Sequence, residues 1–251
     1  MKCLFPIAEH FVYRFEMPVI ASNMYLLPME DSCLIVDPFV SDEVVKLLQE
    51  KNVKECLVLL THEHLDHISG VNWLKNLYPC KVVCSEVCGE QILDPHKSGA
   101  AYFEALFVNH SQQEQKIIHD IVDLQYSCCA DQTYAGEMKF EWQSLTIKLR
   151  EAPGHSLGSQ IIAINNIFFF TGDSLIPGQE VITRLPGGSK KTFNEKTLPY
   201  LQAIPENSII FPGHRAEYAF SGVKAGPVVE NNTAPTQMEL GATGNQETRT
   251  E

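Results

Sequence analysis

The chain has 251 residues, 44% of them hydrophobic and 20% charged, enough to bury one large core without calling for a second domain. Its formal net charge of −12 argues against a nucleic-acid partner, because phosphate binding needs clustered Lys and Arg to replace condensed counterions. Residues 1–10 meet Pro6 and then charge before an apolar run long enough for a secretory leader. No segment approaches a membrane span in length, so a cytoplasmic location and no membrane partner are expected.

Three alternating segments, residues 11–16, 23–27 and 33–36, predict antiparallel strands, the last ending at Asp37-Pro38. Ser41 is placed to cap a helix with Asp42 and Glu43 in its first turn and Val44, Val45, Leu47 and Leu48 on its buried face. A strand over residues 55–60 then runs into Thr61-His62-Glu63-His64-Leu65-Asp66-His67, three imidazoles and a carboxylate within six positions. A strand's period of two would put His62 and His64 on one side. Asp66 and His67 fall where the chain turns into a helix carrying Ile68, Val71, Trp73, Leu74 and Leu77 before Pro79. Each pair is too small for a four-ligand metal shell, so more ligands must come from elsewhere.

Eight cysteines without a CxxC pair read as reduced thiols. Cys80, Cys84 and Cys88, four apart, would align as a soft-metal face on a helix, but residues 81–84 read as a strand. The connection from His67 to His155 is longer than one strand and one helix need. From about residue 94 to 143 it mixes Tyr102, Phe103, Phe107, Tyr126, Tyr134 and Trp142 with polar residues, which predicts a helical insertion overhanging the site, at least half of those aromatics forming its own small core. The scattered His10, His96, His110 and His119 read as surface or hydrogen-bonded residues with no metal role.

Three more apolar runs each end on a glycine turn with a ligand-type residue. Residues 145–149 precede Pro153-Gly154-His155, residues 167–170 precede Thr171-Gly172-Asp173, and residues 209–211 precede Pro212-Gly213-His214. Asn165-Asn166 suits a tight hairpin between strands 159–164 and 167–170, since asparagine tolerates positive φ. A helix is expected over about 197–203, with Pro199 in its first turn. Strands ending at one edge deliver their last residues to one place, so five histidines and two aspartates can converge, a number that suits two metals. Beyond Val223 the chain turns polar and poor in aromatics. One domain over 1–222 followed by a disordered tail over 223–251 is therefore expected.

The HxHxDH run, the later PGH, TGD and PGH motifs and their order resemble the metallo-β-lactamase-fold hydrolases over roughly residues 10–215. Within that superfamily the chain is most similar to glyoxalase II-like hydrolases, because Arg184-Leu185-Pro186-Gly187-Gly188-Ser189 resembles the Arg-x-x-Pro-Gly-Gly segment they carry after a bridging aspartate. Thr183 stands where they usually have glycine, their preceding Gly-Cys-Gly pattern is absent, and only a short stretch follows His214 where they carry the helical domain that grips glutathione.

The resemblance implies an α/β fold, a four-layer αββα sandwich with two mixed β-sheets. It implies that His62, His64 and His155 hold one divalent metal, that Asp66, His67 and His214 hold a second, and that Asp173 bridges both. Zinc suits the donor set, and iron and manganese accept it too. It further implies hydrolysis by a hydroxide shared between the metals, with Asp66 accepting or steering its proton, on a thioester or related small acyl substrate. Arg184 is the candidate contact for an anionic part of that substrate, with a structural ion pair as the alternative. His64, where the flavodiiron branch has glutamate, speaks against an oxygen-reducing site. Asp173, where common zinc β-lactamases have cysteine, favours thioester, lactone or phosphodiester chemistry. An iron-dependent persulfide dioxygenase, a lactonase or phosphodiesterase of the same fold, and a catalytically silent metal-binding module are the competing readings.

Overall fold

A computed structural model describes residues 2–7 and 10–223, so the expected tail, apart from Val223, lies outside the described residues. The first sheet contains β1 (Lys2–Ile7), β2 (His10–Glu16), β3 (Asn23–Met29), β4 (Ser32–Val36), β5 (Glu55–Leu59), β6 (Cys80–Ser85) and β7 (Gln132–Tyr134), in that spatial order. Its pairs are antiparallel up to β4 and parallel from there on. The second sheet contains β8 (Glu137–Trp142), β9 (Leu145–Glu151), β10 (Gln160–Ile164), β11 (Phe168–Gly172), β12 (Ile209–Pro212) and β13 (Tyr218–Ala219), in reverse spatial order. Only its β11–β12 pair is parallel.

The period-two alternation of the strands places one core between the sheets and one outside each. Tyr25, Leu34, Val36, Leu57 and Leu59 of the first sheet meet Leu145, Ile147 and Leu149 on β9, together with Phe170 and Phe211, of the second. Tyr25 meets Phe170 and Phe211 edge-on, each at 5.3 Å, and those two rings stack at 4.6 Å.

On the outer side of the first sheet, α1 (Asp42–Glu50), α2 (Leu65–Ile68) and α3 (Val71–Leu77) bury Val44, Leu47, Leu48, Ile68, Val71 and Leu74 against Cys33, Ile35, Val58 and Val82. The short α4 (Glu86–Gln91) adds Cys88 to the same layer. Between α4 and β7 the insertion holds a 3₁₀ helix, Ala100–Phe107, and α5 (Gln112–Ile121), around a small core of Leu65, Ala100, Phe103, Phe107 and Ile118. On the outer side of the second sheet, α6 (Lys190–Thr192) runs through one π turn, Phe193–Thr197, into α7 (Leu198–Gln202), covering Ile161, Phe169 and Ile210 with Phe193 and Leu201. Two mixed sheets flanked by helices make the four-layer sandwich that the sequence implied.

Three boundaries differ from the sequence reading. Residues 132–134 and 137–142, expected within a helical insertion, are strands. Met138, Phe140 and Trp142 pack toward the inter-sheet core while Glu137, Lys139 and Glu141 alternate with them, a period-two signal that the aromatic count obscures. The helix expected near residue 197 begins at Lys190, where the Ser189 hydroxyl accepts the Thr192 N–H. His62 and His64 lie beyond the end of β5 at Leu59, so strand alternation does not orient them; His64 is instead the residue preceding α2.

Candidate metal centre

The chain ends of β4, β5, β9, β11 and β12 all reach the same edge of the sandwich, and the ligand-type residues sit on the turns that follow. His62, His64 and His155 form one group and Asp66, His67 and His214 another, the donor atoms of each group lying within 4.8 Å of one another. In the first, His64 Nδ1 is 3.1 Å from His62 Nε2 and 3.1 Å from His155 Nε2. In the second, Asp66 Oδ2 is 3.3 Å from His67 Nε2 and 3.5 Å from His214 Nε2. Asp173 lies between them: Oδ1 is 3.6 Å from His67 Nε2, and Oδ2 is 3.6 Å from His155 Nε2 and 3.5 Å from His214 Nε2.

The outward ring nitrogens fix which nitrogens face inward. Carbonyl oxygens only accept, so His155 Nδ1–H donates to Ile182 O at 2.9 Å and His214 Nδ1–H to Ala21 O at 3.0 Å. His67 Nδ1 donates to Asp37 Oδ2 at 2.9 Å. The Thr61 hydroxyl donates to Asp37 Oδ2 at 2.6 Å, and its oxygen is left to accept from His62 Nδ1 at 3.0 Å. The Nε2 atoms of four histidines therefore point their lone pairs into the site. One proton on His64 Nδ1 can serve only one of its two imidazole neighbours, and His67 Nε2 and Asp173 Oδ1 are buried with no hydrogen-bond partner. The donor spacings of 3.1–3.6 Å match the roughly 3.3 Å edge of a tetrahedron with bonds of about 2.0–2.1 Å. A pair of divalent cations fits these residues.

Electrostatics divide the two groups. Burial, with neighbouring His67, His64 and His155, holds His62 well below the ordinary imidazole range. Burial and His155 push His64 down to about 3. Burial also acts against protonation of His67 and His214, yet the carboxylates beside them outweigh it and raise both. Asp66 is held well below the carboxylate range because His67 and His214 overcome the cost of its burial.

Sequence reading misses the groups that hold the ligands. Asp37, buried at the end of β4 with φ +54°, takes hydrogen bonds from Thr61, its N–H included, and from His67, so one carboxylate steadies both ligand groups. An aspartate ending a buried apolar strand is the available signal. Glu63, also buried, accepts the Ser156 hydroxyl at 2.8 Å and the Gly158 N–H at 3.2 Å, tying the loop of His62 and His64 to the loop of His155. Asn23 donates to Pro212 O and Arg215 O, and Tyr25 to Pro212 O, anchoring the turn that carries His214. A Cβ on Gly213 would strike the Asp173 carboxylate, so glycine is required there for the close approach.

Arg184 is exposed on the loop that supplies Ile182 O, and among the described residues no ion pair holds it. No cysteine belongs to a ligand group among the described residues, and Cys80 and Cys84 lie on β6 as expected. His96 and His119 pair with Asp94 and Glu104 at the surface.

Residues 17–214 match the family model described as Metallo-beta-lactamase superfamily. A probable metallo-hydrolase, YqgX, of Bacillus subtilis strain 168 is 25% identical over 206 residues, 80% of this chain and 90% of its own length. A hydroxyacylglutathione hydrolase of Aeromonas hydrophila is 26% identical over 218 residues, 87% of this chain and 70% of its own. The crystal structure of the BLEG-1 B3 metallo-beta-lactamase superposes with a TM-score of 0.67 at 22% identity, covering 83% of this chain and 93% of that one.

Proposed function

Since the chain belongs to the metallo-β-lactamase superfamily, we propose that it is a dinuclear metal-dependent hydrolase acting on a thioester or related small acyl compound, in the manner of glyoxalase II. The observation that carries this reading is Asp173, whose two oxygens face donor nitrogens of both ligand groups. His62, His64 and His155 would hold one ion, Asp66, His67 and His214 the other, and Asp173 both. The donor set of nitrogen and carboxylate oxygen suits zinc, and iron and manganese are compatible with it. When bound, such a pair supplies Lewis acidity and brings the pKa of water toward neutrality.

The chain's own residues do the rest. Asp37, Thr61, Ile182 O and Ala21 O keep the imidazoles in the tautomer that offers Nε2 inward. Asp66, held ionised by its histidine neighbours, can steer an attacking water by accepting a hydrogen bond from it at its carboxylate. His214 and Asp173, with side chains 24% and 13% exposed, form the open edge by which a substrate enters. We further propose that Arg184, exposed and without an ion pair among the described residues, meets an anionic group of the substrate. Among the described residues no helix is long and apolar enough to cross a membrane, and a cytoplasmic location with no nucleic-acid partner is part of this proposal.

The test is a panel of thioesters, lactones and phosphodiesters assayed with zinc under anaerobic conditions in ¹⁸O-labelled water. Label in the acid product with turnover undiminished supports hydrolysis. Oxygen uptake that needs iron and a persulfide, with no hydrolysis across the panel, would replace this reading with the dioxygenase.

A further inference from the structure

Beside the metal-ligand groups lies a groove of about 740 Å³, within the range of roughly 300–1,000 Å³ typical of small-molecule sites. It runs between the β2–β3 loop, the start of α3 and the insertion helix α5. Met17, Ile20, Phe39, Trp73 and Ile121 supply apolar walls. Asp66 belongs to both places: its carboxylate faces His67 and His214, and the residue also lines the groove. Of the seven candidate ligands Asp66 alone lines the groove, so the groove adjoins the second ligand group.

The β2–β3 loop joins the two features a second time. It is held in an unusual shape, with Val19 at φ 68° and Ala21 at φ 60°, conformations that a branched side chain seldom adopts. In that shape Ala21 O receives the His214 Nδ1 proton while Ile20 turns into the groove. The segment that orients a ligand thus also shapes the apolar wall.

Charge narrows the occupant. Among the described residues no Lys or Arg lines the groove, and its charged groups are Asp66, Asp120 and Asp123. Asp120 is paired with Lys116, and Asp123 Oδ1 accepts the Gln125 N–H, so neither calls for a cationic ligand, and with no Lys or Arg in the lining nothing there offsets the cost of burying an anionic one. Arg184, by contrast, stands on the loop that holds His155, the ligand group away from Asp66.

We propose that this groove receives the acyl group of the substrate and selects uncharged aliphatic or aromatic acyl chains over anionic ones, an inference that rests on the thioester hydrolase reading. Burial of each additional methylene is worth about a fourfold gain in kcat/KM, until the groove is filled.

Two measurements on the zinc-loaded full chain test it. The first is kcat/KM for acetyl, butyryl, hexanoyl, benzoyl and succinyl thioesters of one thiol. A rise of about fourfold per methylene is expected, with the succinyl thioester at least about tenfold below butyryl. Ile121→Lys should lower the hexanoyl-to-acetyl ratio about tenfold and raise the succinyl-to-butyryl ratio. The second is tryptophan fluorescence during titration with octanamide, an uncharged acyl probe. Saturable change is expected, and it should vanish in Trp73→Phe, which keeps the distant Trp142.

Thioester turnover with a flat acyl series would overturn the groove assignment and leave the hydrolase reading intact. No turnover of any thioester, with octanamide still bound at Trp73, would overturn the thioester reading and support the groove as an apolar-ligand site. A Trp73 signal that follows protein concentration and ignores octanamide would assign the groove to a second copy of the chain and overturn the proposal.

Discussion

In the group of His62, His64 and His155 three imidazoles face one another with no carboxylate among them, whereas Asp66, His67 and His214 mix two imidazoles with an ionised carboxylate. The same residue type is consequently pushed in opposite directions. Burial and mutual repulsion hold His62 and His64 of the first pocket neutral, down to about 3 for His64, while His67 and His214 in the second hold protons more readily than an ordinary histidine. Similar donor spacings therefore give two pockets that compete differently with protons. The Asp173 carboxylate faces donor nitrogens of both.

Breaking that shared residue should have the largest effect. Asp173→Ala is expected to lower kcat/KM by on the order of 10³-fold and to reduce the metal content from about two ions per chain to one or none. Elemental analysis beside turnover checks this, and retention of most activity would remove Asp173 from its bridging role. Gly213→Ala should mimic it sterically, because the added Cβ meets the Asp173 carboxylate; a loss of about 10²-fold is expected from such a displacement.

Asp37→Asn weakens the orientation of His67 directly and of His62 through Thr61. Metal affinity should fall about 10–100-fold, more in the second pocket than the first, measured by competition with a chelator. Equal losses in both pockets would contradict the direct contact to His67.

Acidification separates the pockets without mutation. A histidine with a raised pKa binds its proton at higher pH, so protons displace metal first where His67 and His214 stand, and later at His64. Bound metal measured against falling pH should step from two to one before it reaches zero. A single concerted release would show that Asp173 couples the pockets more strongly than their proton affinities separate them.

The smallest effect is expected far from both pockets. Lys75 Nζ lies 2.9 Å from Asp131 Oδ2 on the surface, and Asp131 is held below the carboxylate range because Lys75 and the Val82 N–H outweigh its slight burial. A depressed carboxylate contributes stability above its unfolded pKa and loses it as pH falls through the folded one. For a partly exposed surface pair, screened by solvent, this amounts to about 0–1 kcal/mol. Asp131→Asn should lower thermal stability slightly and leave metal content unchanged.

The seven candidate ligand positions are legible in the sequence, His155, Asp173 and His214 as strand-turn-ligand motifs and His62, His64, Asp66 and His67 as a dense run between a strand and a helix, because a short apolar run followed by donor residues is a local pattern. Asp37 and Glu63 are not, since their partners, His67, Thr61, Ser156 and Gly158, are distant in the chain or take their meaning only from packing. The strands at 132–134 and 137–142 escape a sequence reading because aromatic residues in a polar stretch suit an insertion core as well as an edge strand, and only pairing with β6 and β9 distinguishes them.

What the sequence by itself determined is the inventory: apolar periods for the sandwich, and donor residues at its turns, both of which depend on neighbours in the chain. The tertiary structure alone decided how the inventory meets. Donor spacings of 3.1–3.6 Å, the tautomers set by Ile182 O and Ala21 O, and the groove that Asp66 shares with α5 arise between segments far apart in sequence. Their geometry depends on how two sheets pack face to face, which no local pattern encodes.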